Sequence, residues 1–135
     1  MNSLKYILIP IVVAVLSQLI KVIIETIKNK KLNIIRFFDG MGGMPSTHCA
    51  LVTSITTLIY LNYKIEDPLF SVTLIFSLVV IYDAMGIRYE SGKQARTINK
   101  VAKTNLKESL GHKPIEVLVG VLYGIIMTII LNKII

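Results

Sequence analysis

The strongest constraint on this chain is the length of its apolar runs. Four blocks, roughly residues 4–24, 46–63, 68–87 and 114–131, approach the ~20 residues that an α-helix needs to cross a bilayer core. Lipid offers no partner to a bare backbone amide, so each run is expected to be helical. With 53% hydrophobic residues and a mean hydropathy of +0.67 over 135 residues, the chain reads as one all-α domain, 1–135, built as an integral membrane four-helix bundle. No stretch remains for a separate soluble domain. The first run lacks a small-residue cleavage site and carries Gln18, Lys21 and Glu25 towards its end, so it is expected to be retained rather than removed as a secretory signal. Cys49 is the single cysteine and permits no internal disulfide.

A formal charge of +7 would suggest nucleic acid in a soluble protein. Its distribution argues otherwise. Four spans place the connections 25–45 and 88–113 on one membrane face. Together with the adjoining span ends, that face holds twelve of the fifteen lysines and arginines, and the opposite face only Lys5, Lys64 and Lys133. This asymmetry predicts a multi-pass cell-membrane protein with its basic face in the cytoplasm and both termini outside. A basic face attracts anionic headgroups, so the expected partner is an anionic membrane lipid and not nucleic acid. Within the second connection, segment 89–110 places Ile98, Val101, Ala102 and Leu106 near one helical face among lysines. That pattern predicts an amphipathic helix on the membrane surface between spans three and four.

The same topology gathers the unusual residues. Span one ends, span two begins, span three ends and span four begins on the basic face. Lys21 and Lys28, the stretch "PSTH", Asp83 and Arg88, and the stretch "GHKPIE" therefore meet at one depth. Gln18, Lys21, Glu25 and Lys28 follow one another at helical spacing and form a polar stripe on span one. Ser46 or Thr47 suits a helix start, with Pro45 just ahead. A glycine-rich approach, "GMGG", to a helix N-terminus is a form that anion sites use. His112 and Glu116 stand four apart, so the carboxylate reaches one ring nitrogen and leaves the other free to act. Asp83 and Arg88 read either as part of this cluster or as a structural salt bridge. The two histidines and the carboxylates could ligate zinc, but the surrounding lysines and arginines suit an anion better than a cation. Gly120 and Gly124 form a G-x-x-x-G assigned to helix packing, and they leave room for a homodimer.

These motifs resemble those of the type 2 phosphatidic acid phosphatase family, which is related to the vanadium-dependent haloperoxidases. That family carries K-x6-R-P, P-S-G-H and S-R-x5-H-x3-D. Here "KVIIETIK" supplies Lys21 and Lys28, "PSTH" differs from the second motif by Thr47, and "HKPIE" matches the end of the third. The stretches "GGMPSTH", "DAMGIR" and "LGHKPIEVLVG" together are similar to a short, divergent branch of the family. The departures are specific. Lys28 replaces an arginine and no proline follows it, while the serine–arginine pair of the third motif is missing, Asn105 standing seven residues before His112.

The resemblance implies a metal-independent, cofactor-free phosphatase acting on a phosphomonoester or pyrophosphate lipid through a phosphohistidine, with phosphate or vanadate able to occupy the site as a mimic. It implies His112 as nucleophile, Glu116 as its orienting carboxylate and His48 as acid and base. Lys21, Lys28, Ser46, Thr47 and Arg88 would hold the phosphate, with Asp83 in support. Phosphatidic acid, phosphatidylglycerophosphate and polyprenyl phosphates all present the required headgroup. The altered arginine positions also fit a protein that binds or transports lipid phosphates without hydrolysing them.

Overall fold

A computed structural model describes residues 3–32, 34–38, 42–108 and 111–135, apart from the Arg36 side chain. The expected "GMGG" approach is thus described only from Gly42 onward, and Arg36 of the basic face lies outside the described side chains. Among the described residues, five α-helices follow one another: α1 Lys5–Asn29, α2 Thr47–Asn62, α3 Pro68–Met85, α4 Ile87–Ala102 and α5 Pro114–Ile134, with a 3-10 turn at Ile34–Phe37 between α1 and α2.

Local chemistry explains where the helices begin. Ser46 caps α2, its hydroxyl accepting from the Cys49 amide at 3.4 Å. Asp67 caps α3, accepting from the Leu69 amide at 2.8 Å, and Pro68 opens the first turn where no amide hydrogen is needed. Glu116 reaches back to the Lys113 amide at 3.0 Å and closes the start of α5, again behind a proline.

Four helices form an up-and-down bundle with α2 at its centre, packed on α1, α3 and α5. Polar contacts fix the directions. Ser17 of α1 meets Thr47 at one end of α2, whereas Lys5 meets Asn62 at the other end, and Lys5 also reaches Asn132 of α5 at 3.4 Å. The bundle therefore has one end carrying Thr47 and the start of α5, and another carrying Lys5, Asn62 and Asn132. The close packing of α5 on α2 uses the predicted G-x-x-x-G. A β-carbon on Gly120 would lie 2.7 Å from the Ser46 carbonyl, and one on Gly124 would collide with Ala50 and Thr53. These glycines serve contacts within the chain, so they are not available to a dimer interface.

Among the described residues, three stretches are long and apolar enough to cross a membrane alone: Lys5–Asn29, Pro68–Ala102, which runs from α3 into α4, and Pro114–Ile134. The 16 residues of α2 rise ~24 Å, short of a ~30 Å hydrocarbon core. It runs through the middle of the bundle, sheathed by its neighbours.

The surface helix differs from expectation at its end. Instead of running to residue 110, α4 stops at Ala102, and Lys103 takes a left-handed conformation at φ 52. Asn99 is the cause. Its side-chain oxygen accepts from the Leu106 amide and its amide donates to the Leu106 carbonyl and to Glu108, at 2.8, 2.9 and 2.9 Å. An asparagine that satisfies a neighbouring backbone in this way competes with the helical ladder. Leu106 consequently leaves the helical face and lies in a strap folded back along α4.

Candidate active site

The start of α5 is the anchor of the site. His112 is buried, and its Nδ1 lies 3.3 Å from Glu116 Oε2 across one helical turn. The same carboxylate oxygen accepts from the Lys113 amide at 3.0 Å and from the Gly43 amide at 3.4 Å. Gly43 has φ 118, a conformation that a β-carbon would oppose. Main-chain bonds tie the surrounding segments together: Ser46 N–H donates to the Glu116 carbonyl at 3.2 Å, and His112 N–H to the Ala84 carbonyl at 3.1 Å. Three elements are thereby registered around one histidine.

The second histidine approaches from α2. The His48 and His112 ring centroids are 6.5 Å apart at 65°. Lys21 of α1 is only 5% exposed, and its charge reaches both rings. One turn earlier, fully buried Ser17 places its hydroxyl 2.7 Å from Thr47 Oγ1. Burial is the chief influence on His112, pushing its pKa below the usual histidine range. The Lys21 charge adds to that push, Glu116 opposes it through its hydrogen bond and charge, and His48 lowers it further. Beside Glu116 opens a cavity of about 590 Å³ lined in part by Glu25, Gly43, Tyr89, Arg96, Glu108 and Lys113. The two histidines are not among its lining residues.

The fold thus brings Lys21, Thr47, His48, His112 and Glu116 together at one end of the bundle, with Arg88 close enough for its charge to reach His48. Arg88 Nε pairs with Asp83 Oδ2 at 3.0 Å, both side chains being partly exposed, so the salt-bridge reading of this pair holds in the structure. Two expected phosphate contacts are placed differently. Lys28 is exposed in the last turn of α1, ~10 Å further along the axis than Lys21. The Ser46 hydroxyl caps α2, and its amide is engaged by Glu116. Ser17 was not anticipated, although it stands four residues before Lys21 on the stripe Ile9, Val13, Ser17, Lys21 that α1 buries. That i,i+4 run is the signal that would have found it.

A sequence profile described as the Divergent PAP2 family matches residues 3–127. The chain belongs to that family. This family member is 36% identical over 138 residues to the uncharacterized membrane protein YuiD of Bacillus subtilis (strain 168), a match covering 87% of each chain. No solved structure matched it. The profile extends from α1 into α5 and includes every residue of the cluster. With three helices able to cross a membrane and a membrane protein as relative, this Divergent PAP2 family member is an integral membrane protein.

Proposed function

We propose that this protein is a membrane lipid-phosphate phosphatase that hydrolyses a phosphomonoester or pyrophosphate lipid at its basic face, in the cytoplasm. The reading rests above all on the buried His112, held by Glu116 through Nδ1, beside His48 and buried Lys21. Family membership supports it. With Nδ1 on the carboxylate, Nε2 is the nitrogen left to act, and its lone pair attacks phosphorus as the bond to the leaving oxygen breaks. His48 gives that oxygen a proton. In the second step His48 takes a proton from water, the water oxygen attacks phosphorus, and the phosphorus–nitrogen bond breaks to release inorganic phosphate. Lys21, Arg88 and the Thr47 side of the α2 start face the charge that builds on the phosphoryl oxygens. The chemistry as written needs no metal or cofactor, and vanadate would compete as a mimic.

Phosphate release from purified protein across a panel of lipid phosphates tests the proposal. His112→Ala should abolish both turnover and an acid-labile phosphoprotein intermediate. His48→Ala should lose roughly 100- to 10,000-fold with alkyl phosphates and recover part of that loss with aryl phosphates, whose leaving groups need no acid. Wild-type turnover in His112→Ala would end the proposal. Arg88 already shared with Asp83, and a lysine in an arginine position, favour one competing reading, a non-hydrolytic lipid-phosphate binder; vanadate-sensitive lipid binding without phosphate release would identify it.

The depressed His112 pKa has a sign that can be checked. The unfolded chain takes up a proton near pH 6.5, whereas the buried ring resists it until lower pH. Stability should therefore be full above that value and fall as the pH drops through it, because the unfolded state then binds more protons. Unfolding of the protein in detergent across this window measures the slope, and His112→Gln should flatten it.

A further inference from the structure

The connection after α1 carries large apolar side chains where a hydrophilic loop would be expected. Ile34, Ile35 and Phe38 are 63%, 74% and 81% exposed, in and just after the 3-10 turn Ile34–Phe37. Phe37 and Phe38 meet edge to face with centroids 5.1 Å apart. This turn does not project away from the bundle. It packs back against α1, whose own apolar surface runs out at Ile27, 71% exposed. Between Ile27 and the turn lie Lys28, Lys30 and Lys31, all exposed. Along the chain the order is apolar helix, cationic collar, apolar turn, with the turn packed against α1.

That arrangement matches the boundary of an anionic bilayer. Ammonium groups on such a collar suit lipid phosphates, and an apolar turn beside them suits the junction of headgroups and acyl chains. A protein partner would be a poorer match, because interface cores are depleted of lysine. Continuity with the lipid-facing surface of α1 favours the membrane as well.

We propose that Lys30 and Lys31 together with the turn Ile34–Phe37 and Phe38 form an interfacial anchor on the anionic leaflet at the bundle end that carries the histidines. Ile34, Ile35 and Phe38 insert at the headgroup–acyl boundary, and Lys30 and Lys31 engage lipid phosphates. It lies on the same end of the bundle as Gly43, whose amide contacts the Glu116 carboxylate. It does not depend on whether the site hydrolyses anything.

The chain contains no tryptophan, so Phe38→Trp introduces a single fluorophore at an exposed position. Reconstituted into vesicles of phosphatidylglycerol and phosphatidylcholine, it should emit at short wavelength, be quenched by lipids brominated close to the carbonyls, and be shielded from aqueous iodide. Ile75→Trp on α3, 60% exposed, supplies the reference for a deep lipid-facing position in a folded bundle. Adding Lys30→Gln and Lys31→Gln to Phe38→Trp should raise iodide quenching several-fold. Long-wavelength emission with full iodide quenching in Phe38→Trp would overturn the proposal. A tryptophan shielded from both quenchers would overturn it too, since a protein surface or a second copy would then cover the turn.

Discussion

Helices α2 and α3 lie side by side, yet composition and burial are inverted between them. The hydroxyl-rich α2 buries Thr53, Ser54 and Thr56 along with Leu58 and Ile59. The more apolar α3 buries only Ser77 and Ala84, leaving Val72, Val79 and Tyr82 at 65%, 61% and 76% exposure. In water the greasier helix would be the core. Lipid tails are as apolar as leucine, so nothing drives α3 inward, and small or polar side chains bring helices together instead. The contacts bear this out. Ser77 Oγ donates to the Val52 carbonyl at 2.9 Å and lies 2.8 Å from Thr56 Oγ1, while Thr128 of α5 donates to Ser54 at 2.6 Å.

The hardest test of this contrast is to enlarge the small residue against which α2 packs. Gly124→Leu would drive a side chain into Ala50 and Thr53 and should leave no stable bundle, because overpacking a tight contact costs about 1–3 kcal/mol even for added methylenes. Yield and thermal unfolding in mild detergent measure it, and a melting point equal to wild type would mean that α5 does not approach α2 so closely. A middle-sized effect is expected at the hydroxyl contacts. Thr128→Val should destabilise by about 1 kcal/mol, within the range found for hydrogen bonds between membrane helices. A double-mutant cycle with Ser54→Ala separates that bond from packing, and additive effects would show that the two hydroxyls do not interact energetically. The smallest change should come from α3. Val79→Ala, on its exposed face, should shift stability by less than about 0.5 kcal/mol, since lipid replaces the lost methyl contacts. A loss as large as that of Thr128→Val would erase the distinction between the two helices.

The candidate site was legible because helical period and hydropathy both have a direction. Period put Lys21 on one face of α1, and hydropathy put the foot of α2, the foot of α5 and the end of α3 at one depth. The pairing of His112 with Glu116 followed from their spacing of four. Lys28 shows where that reasoning stops. It shares a helical face with Lys21, but the bundle ends between them, so one lysine is buried and the other exposed. Asn99 shows a second limit. Its bonds to Leu106 and Glu108 span seven and nine residues, outside the reach of any helical period, and they end α4 eight residues before the amphipathic pattern does.

The sequence alone therefore determined that this chain enters a membrane as helices and that both histidines, Glu116 and most of its cations lie towards one face. Both follow from the transfer of side chains and backbone between water and lipid, a property readable one segment at a time. Tertiary structure decided that the hydroxyl-rich helix lies at the centre, that the Gly43 amide joins His112 on the Glu116 carboxylate, and that the glycines of α5 are spent on α2. Those outcomes depend on which backbones approach closely enough to exchange hydrogen bonds, and inside a bilayer hydropathy carries no information about that.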